Sequence, residues 1–152
     1  MASLVNSSLK TIKELSIAVN NFMRYEVDGD MFANEQDFEN AVRTMLEQEG
    51  FVVLEKHNVE NTRELVERHF SSDVNLQIPD ISVQCKDGLV FLELKFKNTP
   101  NNYQADEEKI SNYLKEKKCV VAGVLFLDEI HYKDWVQCQQ NKKYYYYWQL
   151  YK

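Results

Sequence analysis

The apolar positions of this chain repeat with two periods, and the switches between them divide it into elements. Leu4 to Met23 carries Leu9, Ile12, Leu15, Val19, Phe22 and Met23 at roughly helical spacing, which predicts an amphipathic helix. That helix either packs on the domain or makes a dimer contact. Arg24 to Ala33 holds three acids around Asp28-Gly29-Asp30. Their spacing does not continue into an EF-hand loop, so a solvated turn is expected. Asn34 to Glu49 is the clearest helix: Asn34 can cap it, and Glu35 and Asp37 complement its dipole. Phe38, Ala41, Val42, Met45 and Leu46 form its buried face, and Gly50 stands where a C-terminal cap is expected. A short strand, Phe51 to Lys56, and a helix, Val59 to Phe70, follow.

The period then changes to two. Ile78 to Lys97 reads as two strands joined at Asp87-Gly88. Val90, Leu92, Leu94 and Phe96 share one face, and Phe91, Glu93, Lys95 and Lys97 share the other. With a two-residue turn at Asp87-Gly88, Lys86 pairs with Leu89, Ser82 meets Glu93 and Asp80 meets Lys95. Asn98 to Asn102 is a loop around Pro100. Tyr103 to Lys118 is a helix with Ile110, Tyr113 and Leu114 inward. Val120 to Leu127 is an apolar, β-branched run expected as a buried strand. The tyrosine-rich end suits an edge strand, an interface strand, or an aromatic surface whose Lys142 and Lys143 contact phosphate.

The chain has 152 residues, enough for one domain with a sizeable core. We divide it into an N-terminal helical extension (1–33), a core (34–127) and a C-terminal extension (128–152). The longest apolar run, Cys119 to Leu127, is too short for a bilayer, and the first residues lack the pattern of a secretion signal. No membrane partner is expected. Cys85, Cys119 and Cys138 are odd in number and widely spaced. That argues against zinc or a disulfide framework and for a reducing, cytoplasmic setting. Net charge is −6, at first unfavourable for a nucleic-acid partner. The charge is uneven: residues 1–76 hold 7 Lys and Arg against 14 Asp and Glu, and residues 77–152 hold 11 against 10. The second half, which carries the hairpin, repels a polyanion less.

Asp80, Glu93 and Lys95 need a reason inside so apolar a hairpin. One reason is a cross-strand salt bridge on a solvated sheet face. The other is chemistry. Glu39 lies about 100° around its helix from Phe38, on the flank of the apolar stripe, with Glu35 one turn earlier. Either acid is an ordinary solvated helix position, or the two reach over a sheet edge towards the hairpin.

Pro79-Asp80, then twelve residues, then Glu93-Leu94-Lys95 resembles the motif of the PD-(D/E)xK restriction-endonuclease-like nucleases. The preceding stretch ENAVRTMLEQEGF is similar to the first helix of archaeal Holliday-junction resolvases, and Glu39 falls on their motif glutamate. The likeness covers about residues 34–127. It implies an α/β fold, a restriction-endonuclease-like core with a central mixed sheet flanked by helices. Here that core gains an extra N-terminal helix and a tyrosine-rich C-terminal strand. It implies an endonuclease cutting DNA with Mg²⁺, or with Mn²⁺ in its place. Asp80, Glu93 and the Leu94 carbonyl would hold the metal. Glu39 would bind it directly or orient one of its waters. Lys95 would position the attacking water or stabilise charge growing on the phosphate. Glu35 and Gln104 are accessory candidates, although Gln104 is followed four residues later by Glu108 rather than the tyrosine of some relatives. Lys97, Lys142 and Lys143 are candidate nucleic-acid contacts. Cutting both strands of a duplex favours a homodimer. The alternatives are a catalytically silent or partner-dependent module with the nuclease fold, and an RNA-directed nuclease.

Overall fold

A computed structural model describes residues 8–55, 78–139 and 143–152. The first described helix, α1 (Ile12–Asn21), is capped by Thr11. The Thr11 hydroxyl accepts the Glu14 N–H, and the Glu14 carboxylate accepts the Thr11 N–H. This reciprocal cap satisfies donors that a helix start leaves open. Leu4 and Val5 of the predicted helix lie outside the described residues. A π-helical turn, Phe22–Glu26, continues α1. The acidic turn that follows is a 3-10 turn, Gly29–Met31, and it is not simply solvated. Asp30 accepts the Tyr144 hydroxyl at 2.9 Å and pairs with Lys143 at 3.2 Å.

Helix α2 (Glu35–Gln48) is capped as expected: Asn34 Oδ1 accepts the Asp37 N–H at 2.9 Å. It ends at Gly50, whose φ of +90° is the left-handed turn that glycine adopts at least cost. Strand β1 (Val52–Leu54) is shorter than predicted because the Phe51 N–H still closes the helix on Leu46. The predicted helix Val59 to Phe70 falls outside the described residues.

Strands β2 (Ile81–Cys85) and β3 (Gly88–Phe96) form the hairpin. Cys85 pairs with Gly88, so the turn residues are Lys86-Asp87 and not Asp87-Gly88. Leu89 faces Gln84, and Ser82 meets Phe91 rather than Glu93. Tertiary contacts choose this register. Asp87 Oδ1 accepts the Ile12 N–H at 3.0 Å, and the Lys86 N–H donates to the Lys10 carbonyl at 2.7 Å. The turn is thereby tied to the start of α1. The slip is two residues, so every side chain keeps its expected face.

Helix α3 (Pro100–Lys115) starts three residues before the predicted Tyr103. The Thr99 hydroxyl accepts the Asn102 N–H at 3.3 Å, and Pro100 sits in the first turn, where a missing N–H costs nothing. Strand β4 (Val121–Asp128) is buried throughout. Strands β5 (Val136–Gln137) and β6 (Tyr145–Tyr151) complete the described elements.

The fold is α/β. The six strands form one mixed sheet in the order β1–β2–β3–β4–β6–β5, with β3 and β4 parallel and the other neighbours antiparallel. Helices α1 and α2 pack on one face through Leu15, Val19, Phe38, Val42, Leu92 and Leu94. Helix α3 packs on the other through Tyr103, Ile110, Tyr113, Phe91 and Phe126. The tail is an edge strand over most of its length: the unforeseen β5 covers β6 only at Tyr145 and Tyr146, and among the described residues no strand pairs with Tyr147 to Tyr151 on the side away from β4. Tyr144 and Tyr146 are buried on the α1 side, and Tyr147 packs on the α3 side. Among the described residues no helix is long and apolar enough to cross a membrane. The three cysteines are unbridged.

Candidate functional site

Strand β3 outruns β2. Its last partner there is Ile81, opposite Leu92, whereas β4 accompanies it to Phe96. Two N–H groups beyond that point receive carboxylates in place of a strand. Asp80 Oδ2 accepts from Leu94 at 2.8 Å, and Glu35 Oε1 accepts from Phe96 at 3.2 Å. A buried donor left without an acceptor costs about 1–3 kcal/mol, so these acids have a local structural reason as well as a chemical one. Arg43 of α2 fixes the backbone beside them. Its guanidinium donates to the Asp80 carbonyl at 2.8 Å and to the Leu54 carbonyl at 3.1 Å.

Asp80, Glu35, Glu39, Gln36 and Leu94 line a cleft of about 70 Å³. Glu39 is only 5% exposed and accepts the Gln36 side-chain N–H at 2.7 Å. It is therefore no ordinary solvated helix position. Burial raises the Glu35 carboxyl above its usual range, opposed by Lys95 and the Phe96 N–H.

Glu93 lies on the α3 face and is 2% exposed. The Tyr113 hydroxyl donates to its Oε1 at 2.7 Å. Burial, and then the charge of Asp80, push the Glu93 carboxyl up to about 8. Lys95 does not pair across the hairpin with Asp80. Its Nζ stands 3.3 Å from Asp106 Oδ2 on α3. With the register shifted by two, Asp80 falls level with Glu93 instead of Lys95. Burial works against the Lys95 charge, but Asp106, Glu35 and Asp80 together hold its pKa above the ordinary lysine value.

Asp106 is the residue that sequence reading missed. It is 1% exposed, and Lys109 lies 3.7 Å from its other oxygen. Burial raises its carboxyl, with Lys95 and Lys109 opposing. A signal was present: Tyr103, Asp106, Ile110 and Tyr113 make the buried stripe of α3, and an acid at such a position faces inward.

Gln104 is exposed and lines a different, aromatic cleft with Tyr103, Trp135 and Tyr147. Lys97 pairs with Glu129 at 2.9 Å and lies over the Phe96 and Tyr144 rings. Lys143 pairs with Asp30 and Glu129. Lys142 is outside the described residues.

Among the described residues no three His, Cys, Asp or Glu side chains are grouped to hold one metal ion. The donor chemistry fits a hard divalent cation all the same. Burial first, and then repulsion from Asp80, raise the Glu93 carboxyl, and Asp80, Glu35 and Glu39 line one cleft with Leu94. These are oxygen donors in a crowded negative field, which a hard cation relieves. No protein-family model, no curated protein and no solved structure matches the chain.

Proposed function

We propose that this chain is a metal-dependent endonuclease hydrolysing DNA phosphodiester bonds, with the restriction-endonuclease-like arrangement of the PD-(D/E)xK nucleases. One observation carries the reading. Asp80, Glu93 and Lys95 lie about the point where β2 leaves β3, and α2 brings Glu35 and Glu39 to the same cleft as Asp80. A phosphodiester is anionic and resists attack by hydroxide. Bound Mg²⁺ or Mn²⁺ supplies Lewis acidity and a water of lowered pKa. Asp80, Glu93 and the Leu94 carbonyl are the groups to hold it, and Glu39 binds it or orients a water. Lys95 offsets charge growing on the phosphate. Tyr113 steers the Glu93 carboxylate, and Arg43 steadies the backbone at Asp80. α1 exposes Ile17, and Tyr25 is exposed just beyond it. These offer a surface for a homodimer, which light scattering at assay concentration tests.

The test is cleavage of plasmid, linear and branched DNA, and of RNA, with Mg²⁺ or Mn²⁺. Wild type is expected to cut DNA and Lys95→Ala to leave it intact. Intact substrates with both proteins would sink the reading. Cleavage of RNA alone would move it to an RNA-directed nuclease. A second reading is a binding module that keeps the fold without catalysis. The Lys95–Asp106 pair and the absence of three grouped donors among the described residues favour it. Calorimetric titration with Mn²⁺ separates the two: heat no greater than that of Asp80→Asn supports the silent module.

A further inference from the structure

We infer that Asp106 is a positioning residue: it fixes the Lys95 ammonium on the α3 side and competes with the substrate phosphate for it. The competition rests on the nuclease reading above, whereas the resting geometry does not. A carboxylate at 1% exposure is costly unless a cation accompanies it. Lys95 is the nearer cation at 3.3 Å and is itself only 17% exposed. Lys109, at 3.7 Å, is 38% exposed and is more fully shared with solvent. The Lys95 contact is an ion pair at 3.3 Å to Asp106 Oδ2. Charge attracts the ammonium, so an anion bound close by competes with Asp106 for it. Glu35 and Asp80 also act on it, so the ammonium has carboxylates on both the α3 and α2 sides. A phosphate arriving beside Asp80 finds Lys95 within this set and must outbid Asp106.

Asp106→Asn keeps the shape and removes the charge. The released lysine is expected to bind an oligonucleotide more tightly, lowering KM. Its loss of fixed position is expected to lower kcat about 10–100-fold. Asp106→Glu is expected to recover part of kcat. A merely structural role would lower the melting temperature without splitting KM from kcat, and that result would overturn the inference. An arm without substrate uses protein labelled with ¹⁵N-lysine, the Lys95 ammonium signal being assigned with Lys95→Arg. In Asp106→Asn that signal should move and its hydrogen exchange should quicken; an unchanged signal overturns the inference whatever the activity. A moved signal in a protein that cuts no nucleic acid supports the positioning and defeats the nuclease reading. If Asp106→Asn does not fold, Lys95→Met gives the reciprocal test on the Asp106 carboxyl carbon, where an unchanged resonance is again the refuting outcome.

Discussion

Glu93→Gln should stabilise the metal-free protein at high pH and leave it nearly unchanged at low pH. The Glu93 carboxyl rises from 4.5 to about 8, through burial first and the Asp80 charge second. An acid whose pKa is raised by folding keeps its proton longer in the folded chain. Between pH 4.5 and about 8 the folded state binds more protons than the unfolded state, so stability falls as pH rises and levels off above that window. At 1.36 kcal/mol per pH unit the full shift has a ceiling on the order of 5 kcal/mol. Water entry and side-chain relaxation reduce it, and about 2–4 kcal/mol is the working expectation. Glutamine has nearly the same shape and carries no such penalty. Urea unfolding of both proteins in EDTA, at pH 5 and pH 9, measures the difference of differences, in which other titrating groups cancel. A gap between variant and wild type that is equal at the two pH values would refute the reasoning. Mg²⁺ added at pH 9 should narrow the gap by stabilising wild type alone.

Gly29→Ala sets a Cβ against the Tyr144 ring, which is held through its hydroxyl by Asp30 and Glu129. Overpacking there should cost about 1–3 kcal/mol in thermal unfolding, and an unchanged melting temperature would contradict the contact. Asp87→Ala removes the acceptor of the Ile12 N–H. It should cost about 0.5–2 kcal/mol and speed hydrogen exchange in the first turn of α1, whereas unaltered exchange would show that the turn does not hold the helix. Tyr146→Phe deletes a hydroxyl that donates to Asn20 Oδ1 at 2.6 Å. A loss of about 0.5–1.5 kcal/mol in urea unfolding is expected, and no loss would mean that water already served Asn20.

Much of the fold was legible because local rules and tertiary demands agree. Asn34 caps α2, Gly50 ends it, and the alternation along β3 assigns Phe91 and Glu93 to one face and Leu92 and Leu94 to the other. The misses arise where long-range contacts decide. Lys86-Asp87 becomes the turn because Lys10 and Ile12 bond to it, and nothing local to the hairpin announces that. Pro100 suits a loop and a first helical turn equally well, and the Thr99 cap decides for the helix. The tail is an edge strand beyond Tyr146, and the strand that covers its start went unforeseen because β5, two residues long, is too short to carry a period. At the site, Glu39, Asp80, Glu93 and Lys95 were singled out by residue type and motif. Asp106 was not, because its carboxylate interrupts the apolar stripe of Tyr103, Ile110 and Tyr113 and a hydrophobic period does not count it. Gln104 has the motif-like position, but its helical angle points it to the other flank of α3.

The gap beyond β2 bears on how inactive variants behave. Asp80 and Glu35 stand in for a missing strand by accepting the N–H groups of Leu94 and Phe96. Exposed strand edges recruit other chains. Asp80→Ala would therefore unseal the edge of β3 and invite intermolecular pairing. Aggregation of that variant would report the loss of a plug, independently of any chemistry the carboxylate performs. Asp80→Asn keeps an oxygen for Leu94 and is the cleaner control.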